Sequence, residues 1–324
     1  MTAPAQTTED RGIALLMVLW VITILMVIVF SFSALARTET NAALGFREML
    51  EKRNLAEAAV ERGIVEIIYR SKKPNDVTAE VWRMDGTRYR MAIGNGNASV
   101  GITDESGKLD INMLSDASGI ILKNLLVMRG VAEERADTIV DSLLDWKDSG
   151  DSDAHRLHGA ETDYYMTLPL PYAAKNANFD TVEELLLVKG MTSDILFGDR
   201  ERKGIESLLT VHAKTDKINV NAAPQDLLAA LPGMNAGLAE TFVAERQSRD
   251  TLLSAADLPV LFGEAYAMAS PYVSTGDSDT FTIESSGYTD REQAAYSIRA
   301  TVMFSPDMGR YRYVSYKNPV TAMR

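Results

Sequence analysis

Hydrophobic and polar positions divide the chain into segments of three periods. Residues 13–36 read IALLMVLWVITILMVIVFSFSALA, without a charge. As a helix this run measures about 36 Å at 1.5 Å per residue, enough to cross a hydrocarbon core of about 30 Å. A buried core helix and a cleaved secretory signal are the competing readings, but a signal's apolar core is shorter, about 7–15 residues. Here the pattern passes without a break into an amphipathic stripe of Leu44, Met49, Leu50, Leu55, Ala58, Ala59, Val65 and Ile68 with charges between them. Lys72, Lys73, Pro74 and Asn75 stop it, so the spacing predicts one helix over 13–71.

Period-two alternation follows. AEVWRM (79–84) and TRYRMAI (87–93) flank Asp85-Gly86, a hairpin signal, and NASVGIT (97–103) comes after a glycine turn at 94–96. Alternation returns only at 281–288, with Phe281 and Ile283 on one face, and at 294–304, with Tyr296, Ile298, Ala300, Val302 and Phe304 on one face. A last strand at 310–316 follows a turn at 306–309. The intervening stretch of about 175 residues is helical and loop-rich. The expected class is α+β: a long N-terminal helix, half transmembrane and half amphipathic, packed on an antiparallel sheet that is interrupted by a large α-helical insertion.

The insertion carries a weak internal repeat. GKLDINML (107–114) and DKINVNAAPQDLL (216–228) each lead into a helix, a glycine turn and another helix. A further helix is expected over 179–190, capped by Asp180 and ended by Gly190. The second copy, INVNAAPQDLLAALPGM, has the pattern of a helix-hairpin-helix, a module that offers backbone N–H groups to phosphate at a glycine turn. Its turn is Pro232-Gly233, with Asn235 where a second glycine is usual. From Lys217 to Arg246 the only basic residues are those two, against Asp226, Glu240 and Glu245. That is too few cations for a phosphate footprint. The pair reads as scaffold, with Leu227, Leu228, Leu231, Leu238 and Phe242 in its core, and nucleic acid is not expected as a partner.

Composition narrows the chemistry. The 324 residues suggest about two domains, and a hydrophobic share of 46% supplies a sizeable core. A formal charge of −12 disfavours phosphate backbones and anionic surfaces, and the absence of cysteine excludes disulfides and thiolate chemistry. Asp145, Asp148, Asp151 and Asp153 place four carboxylates in nine residues, and Glu161 and Asp163 follow. Such oxygens on a flexible loop suit calcium, although a solvated loop or a set of helix caps explains them as well. Asp277 and Asp279 are a weaker second pair. His155, His158 and His212 lack zinc spacing, and neither a nucleophile elbow nor a phosphate loop is present, so the chain is not expected to be an enzyme.

A leader ending in Arg11-Gly12, followed at once by the apolar helix, resembles the type IV pilin and pseudopilin precursors. The order of DESGKLDIN, LLDWKDSGD, GAE, the segment 176–190 and INVNAAPQDLLAALPGM is similar to the large minor pseudopilins of type II secretion. The resemblance implies cleavage by a prepilin peptidase between Gly12 and Ile13, and methylation of the new amino terminus. It also implies a pilin-like sheet and a single-pass inner-membrane anchor with the C-terminal part in the periplasm. Most such subunits carry glutamate at the fifth mature position, whereas here that position is Met17, which suits a subunit with nothing above it. The implied role is to cap the pseudopilus tip and start its assembly with two smaller minor pseudopilins, above the major pseudopilin. Relatives hold calcium in the insertion, which favours that reading of Asp145, Asp148, Asp151, Asp153 and Glu161. The boundaries that follow are a leader over 1–12, a transmembrane half over 13–36, amphipathic helix and first strands over 37–103, an inserted domain over 104–278, final strands over 279–317 and a tail over 318–324. The rivals are a membrane-anchored DNA-uptake protein using the hairpin and a minor pilin of a type IV pilus.

Overall fold

A computed structural model describes residues 9–73, 82–148, 155–289 and 295–320. Helix α1 (Glu9–Lys72) is continuous for 64 residues and starts four residues earlier than the apolar run. Strands β1 (Asp85–Ile93) and β2 (Gly96–Asp104) follow. The chain then leaves the sheet. It forms β3 (Leu109–Asp110), α2 (Gly119–Met128), α3 (Glu133–Lys147), α4 (Thr162–Met166), α5 (Ser193–Leu196) and β4 (Leu209–Thr210). A second series comprises β5 (Ile218–Asn219), α6 (Gln225–Ala229), α7 (Ala236–Ser248), α8 (Leu258–Phe262), α9 (Tyr266–Ala269) and β6 (Val273–Ser274). Strands β7 (Thr280–Tyr288), β8 (Tyr296–Phe304) and β9 (Tyr311–Lys317) complete an antiparallel sheet of order β1-β2-β7-β8-β9.

Two expectations about the sheet need correction. Residues 79–81 lie outside the described residues, 82–84 are not strand, and the chain does not reverse at Asp85-Gly86. Gly86 has φ +85° inside β1, and the register slips between Asp85 and Arg88, so this glycine makes a bulge. The reversal comes at Gly94, within the predicted glycine turn. The helix face against the sheet also differs from the predicted stripe. Ala56, Ala59, Val60, Gly63, Ile64 and Ile67 are buried, whereas Leu44, Met49, Leu50 and Val65 are exposed. Small residues at the contact let backbone approach backbone: Ser285 Oγ donates to the Ala56 carbonyl at 2.8 Å.

The chain between the two strand groups folds as two similarly built halves. In the first, β3 runs parallel to β4 and the Ile111 amide donates to the Thr210 carbonyl at 3.0 Å. In the second, β5 runs parallel to β6 and the Val220 amide donates to the Ser274 carbonyl at 3.0 Å. Asn112 accepts from the Phe179 amide (2.8 Å) and donates to the Phe179 carbonyl (3.0 Å). Asn221 does the same to Leu253 (2.9 and 3.0 Å). Each asparagine thus satisfies one residue's whole backbone, as a neighbouring strand would. This clamp explains why 179–190 is not the expected helix. Phe179 and Asp180 are not helical, the helical part is a 3₁₀ segment, Val182–Leu187, and Thr181 rather than Asp180 precedes it. Aliphatic residues from both halves share one core that includes Leu122, Leu125, Ile139, Leu143, Leu227 and Leu228, separate from the core between α1 and the sheet. Leu238 is the exception among the expected core residues. It is 42% exposed because it lies in the first turn of α7, and Ala239 and Phe242 face inward instead.

Candidate functional site

Gly12 and Ile13 lie near the start of α1, and Met17 is 61% exposed on its apolar half. The window of highest hydropathy has no part buried inside the chain, which fits a membrane anchor.

The hairpin turns are occupied by the chain itself. Gly130, between α2 and α3, and Gly233, between α6 and α7, both have φ +82°, a conformation open to glycine at helix ends. A Cβ added at Gly233 would lie 2.8 Å from Met268 Cε and 3.3 Å from Ala265. The turn therefore packs on the α8–α9 region. Asn235 does not replace a phosphate-binding glycine: its side chain caps α7 by accepting from the Leu238 amide at 3.0 Å. Arg246 is turned inward. Its guanidinium donates to the carbonyls of Val220 and Ala223, both at 2.8 Å, and to Asp85 at 3.4 Å. Of the two cations available to a phosphate, one is thus inside the protein.

The acidic loop is only partly described: Asp151 and Asp153 lie outside the described residues. Asp145 is buried at the end of α3, where Arg156 Nη1 holds it at 2.8 Å, and Asp148 lies 3.8 Å from the same nitrogen. Burial, followed by the charges of Asp145, Asp148 and Asp163, pushes the Glu161 carboxyl up. That is a concentration of negative potential with Arg156 and Lys147 beside it. No group of three or more metal-ligating side chains is assembled among the described residues. His158 pairs with Asp141 at 3.2 Å, and His155 contacts the Arg156 carbonyl.

Asp277 and Asp279 lie at the joint where the chain returns to the sheet. Asp277 is held by Arg70 of α1 at 3.0 Å, and Asp279 by Lys214 at 3.0 Å. Beside them, Asp104 accepts from the Ser278 amide (3.0 Å) and hydroxyl (2.6 Å) and from Ser106. Burial, then the charge of Asp277, pushes its carboxyl up to about 6. Burial opposes ionisation of Glu105, yet Lys108 and the hydroxyls of Thr210 and Thr282 hold its carboxyl low. The exit from β2 and the entry to β7 are thus fastened together. Arg70 lies near the C-terminal end of α1, so the joint is at the end of the sheet far from the apolar half of the helix.

The residues that fasten the halves were legible only as a pattern. Asn112 and Asn221 close the repeated K-[LI]-[DN]-[IV]-N runs, and that repetition was the available signal. Arg246, Arg70 and Asp104 act across more than 150 residues of sequence, and nothing local marks them.

Comparison with known proteins agrees with this architecture. The family model described as type II secretion system (T2SS), protein K matches residues 107–197, most of the first half. The chain is similar to the type II secretion system protein K of Pseudomonas aeruginosa, 27% identical over 259 residues, covering 74% of this chain and 75% of that one. It is similar to that of Klebsiella pneumoniae, 28% identical over 244 residues, covering 69% and 70%. A solved chain from the GspK-GspI-GspJ complex of the enterotoxigenic Escherichia coli type 2 secretion system shares the fold. Its TM-score is 0.59 at 15% identity, covering 87% of this chain and 100% of that chain. With the ordered sequence phrases and the long apolar helix, these similarities show that the chain resembles the type II secretion system protein K proteins over most of its length.

Proposed function

We propose that this chain caps the tip of a type II secretion pseudopilus and starts its assembly, anchored in the inner membrane with the sheet and inserted unit in the periplasm. The observation that carries the reading is the position of the joint. The inserted unit leaves the sheet at the end far from the apolar half of α1, beside the C-terminal end of that helix, which is where a cap would sit. Met17 supports it, because no carboxylate at that position awaits the amine of a subunit above. A prepilin peptidase cuts between Gly12 and Ile13, and methylation follows on Ile13. The structural neighbour comes from a complex of three different chains, which supports two smaller minor pseudopilins as partners here. The two glycine-turn helix pairs are helix-hairpin-helix-like modules used as scaffold. Full-length chain in detergent, mixed with the two candidate minor pseudopilins of the same system, is expected to give a stable 1:1:1 complex. Failure with every pair of candidates from that system sinks the cap reading.

We also propose calcium at the acidic loop. The donor chemistry fits: Asp148 and Glu161, joined by Asp151 and Asp153, supply hard oxygens, while Asp145 shares its charge with Arg156. The ion would supply charge neutralisation and tie the loop to the end of α3. Calcium at about 100 times its Kd is expected to stabilise the full chain by about 2.7 kcal/mol over chelator. The thermal midpoint should rise accordingly, and the rise should shrink in Glu161→Gln. Equal midpoints with calcium and with chelator refute the site.

A further inference from the structure

Where the polar half of α1 runs along the sheet, from Arg47 onward, it neutralises most of its carboxylates in a regular way. Glu51 pairs with Arg47, Glu48 with Lys52, Glu57 with Arg53 and Glu66 with Arg62, each four residues apart. Glu61 breaks the pattern. Four residues before it stands Glu57 and four after it Val65, so no cation on the helix can reach it, and it has no ion pair among the described residues. What surrounds it instead is aromatic. Tyr313 donates its hydroxyl to Glu61 Oε1 at 3.0 Å, and Tyr311 approaches Oε2 at 3.5 Å. Tyr311, Tyr313 and Tyr316 stand in a row on β9, with successive rings nearly perpendicular (88° and 87°) and centroids 5.9 and 5.5 Å apart. They are 40%, 42% and 43% exposed, and Val65, one helical turn beyond Glu61, is 57% exposed.

This arrangement lies where the sheet outruns its helix. The principal contacts of α1 are with β2, β7 and β8, while β9 is the edge strand. The tyrosine row of β9 therefore meets the flank of α1 at Glu61. Ring faces and a carboxylate at one place are the two groups that attract a cation, the first through the ring quadrupole and the second through its charge. Water satisfies a lone carboxylate well enough, but it gives no reason for three large half-exposed rings around one. Such rings are what protein interfaces use as anchors.

We propose that Glu61 with Tyr311, Tyr313 and Tyr316 forms a docking notch for a Lys or Arg side chain of a neighbouring protein chain, with Val65 meeting the apolar residues beside that cation. The occupant is a protein and not a lipid headgroup because of height. Glu61 is 25 residues beyond the end of the uncharged run, roughly 37 Å along the helix. The polar layer of a bilayer leaflet is only about 5–8 Å thick. The cation is chosen over an anion because the carboxylate would repel an anion.

The notch is testable in the intact membrane. A photoreactive benzoylphenylalanine at position 65 leaves all four notch residues in place. Irradiation is expected to give a protein adduct whose cross-linked peptide, read by mass spectrometry, carries Lys or Arg within about one helical turn of the attachment point. Glu61→Lys is expected to cut the adduct at least tenfold, and Glu61→Gln by less. Glu61 is exposed and in no ion pair among the described residues, and its hydrogen bonds from Tyr313 and Tyr311 are exposed, so both variants should keep the wild-type circular dichroism and lie close to its melting midpoint. Lipid adducts only, no adduct, a peptide without a nearby cation, or an adduct indifferent to Glu61→Lys would each overturn the proposal. The experiment needs no prior identity for the partner, so a failure of the three-chain complex leaves its outcome readable.

Discussion

Replacing Arg246 with alanine is expected to lower the unfolding free energy by about 3–5 kcal/mol, the usual loss when one partner of a buried ion pair is removed. Both side chains of the Arg246–Asp85 pair are nearly inaccessible, at 4% and 3%. Arg246 also fills the carbonyls of Val220 and Ala223. Alanine therefore leaves the Asp85 carboxylate with only its hydrogen bonds from Thr87 and no cation, and two backbone acceptors without this donor, away from water. The contact also spans the two parts of the chain, since Asp85 opens β1 and Arg246 lies in α7. Lysine at position 246 should recover only part of the loss, because one ammonium cannot reproduce the fork that reaches three acceptors. Urea unfolding followed by circular dichroism reads the effect. A loss below about 1 kcal/mol in Arg246→Ala would mean that the pair is not desolvated as described. The double change Asp85→Ala with Arg246→Ala should be milder than the sum of the single changes, since it removes the stranded charge.

Gly287→Val is expected to cost about 3 kcal/mol or more, at or beyond the upper end for overpacking. The Cβ of any residue at 287 would lie 2.0 Å from the Lys52 carbonyl oxygen and 2.9 Å from the Ala56 amide nitrogen. These are backbone atoms of α1 and cannot rotate aside. The helix must lift from β7, which opens the core of Ala56, Val60, Ile64, Val100 and Ile283. Gly45→Ala is the matched control on the same helix. Nothing lies within 4 Å of its added Cβ, and alanine there should stabilise the helix by up to about 1 kcal/mol. Equal effects from the two changes would show that close approach at 287 does not matter.

Much of the fold was legible because its signals are local. The charge-free run and the alternation of β7 and β8 are read from successive residues, and they correspond to observed elements. The misreadings arise where a tertiary contact overrides a local preference. Asp85-Gly86 has the composition of a hairpin turn, but pairing with β2 draws it into a bulge. The stripe on α1 was read mostly from large apolar residues, and of these positions the sheet buries Ala59 while adding Ala56 and Gly63, because close packing favours small ones. Segment 179–190 has helical periodicity, but Asn112, 67 residues away, takes both backbone groups of Phe179. The candidate sites were legible as composition only. Acidic residues can be counted in the sequence, but which of them meets Arg156, Arg70 or Lys214 is decided by the fold.

The unbroken length of α1 has a mechanical consequence. Sixty-four residues of helix make a strut of about 96 Å, and it holds no proline. Compression applied at its foot cannot be absorbed by a hinge partway along. It travels the whole axis and emerges near Arg70, which grips Asp277 at the root of the inserted unit. A load applied at its N-terminal end would therefore reach the root of the inserted unit within one covalent rod, without relying on the sheet to transmit it.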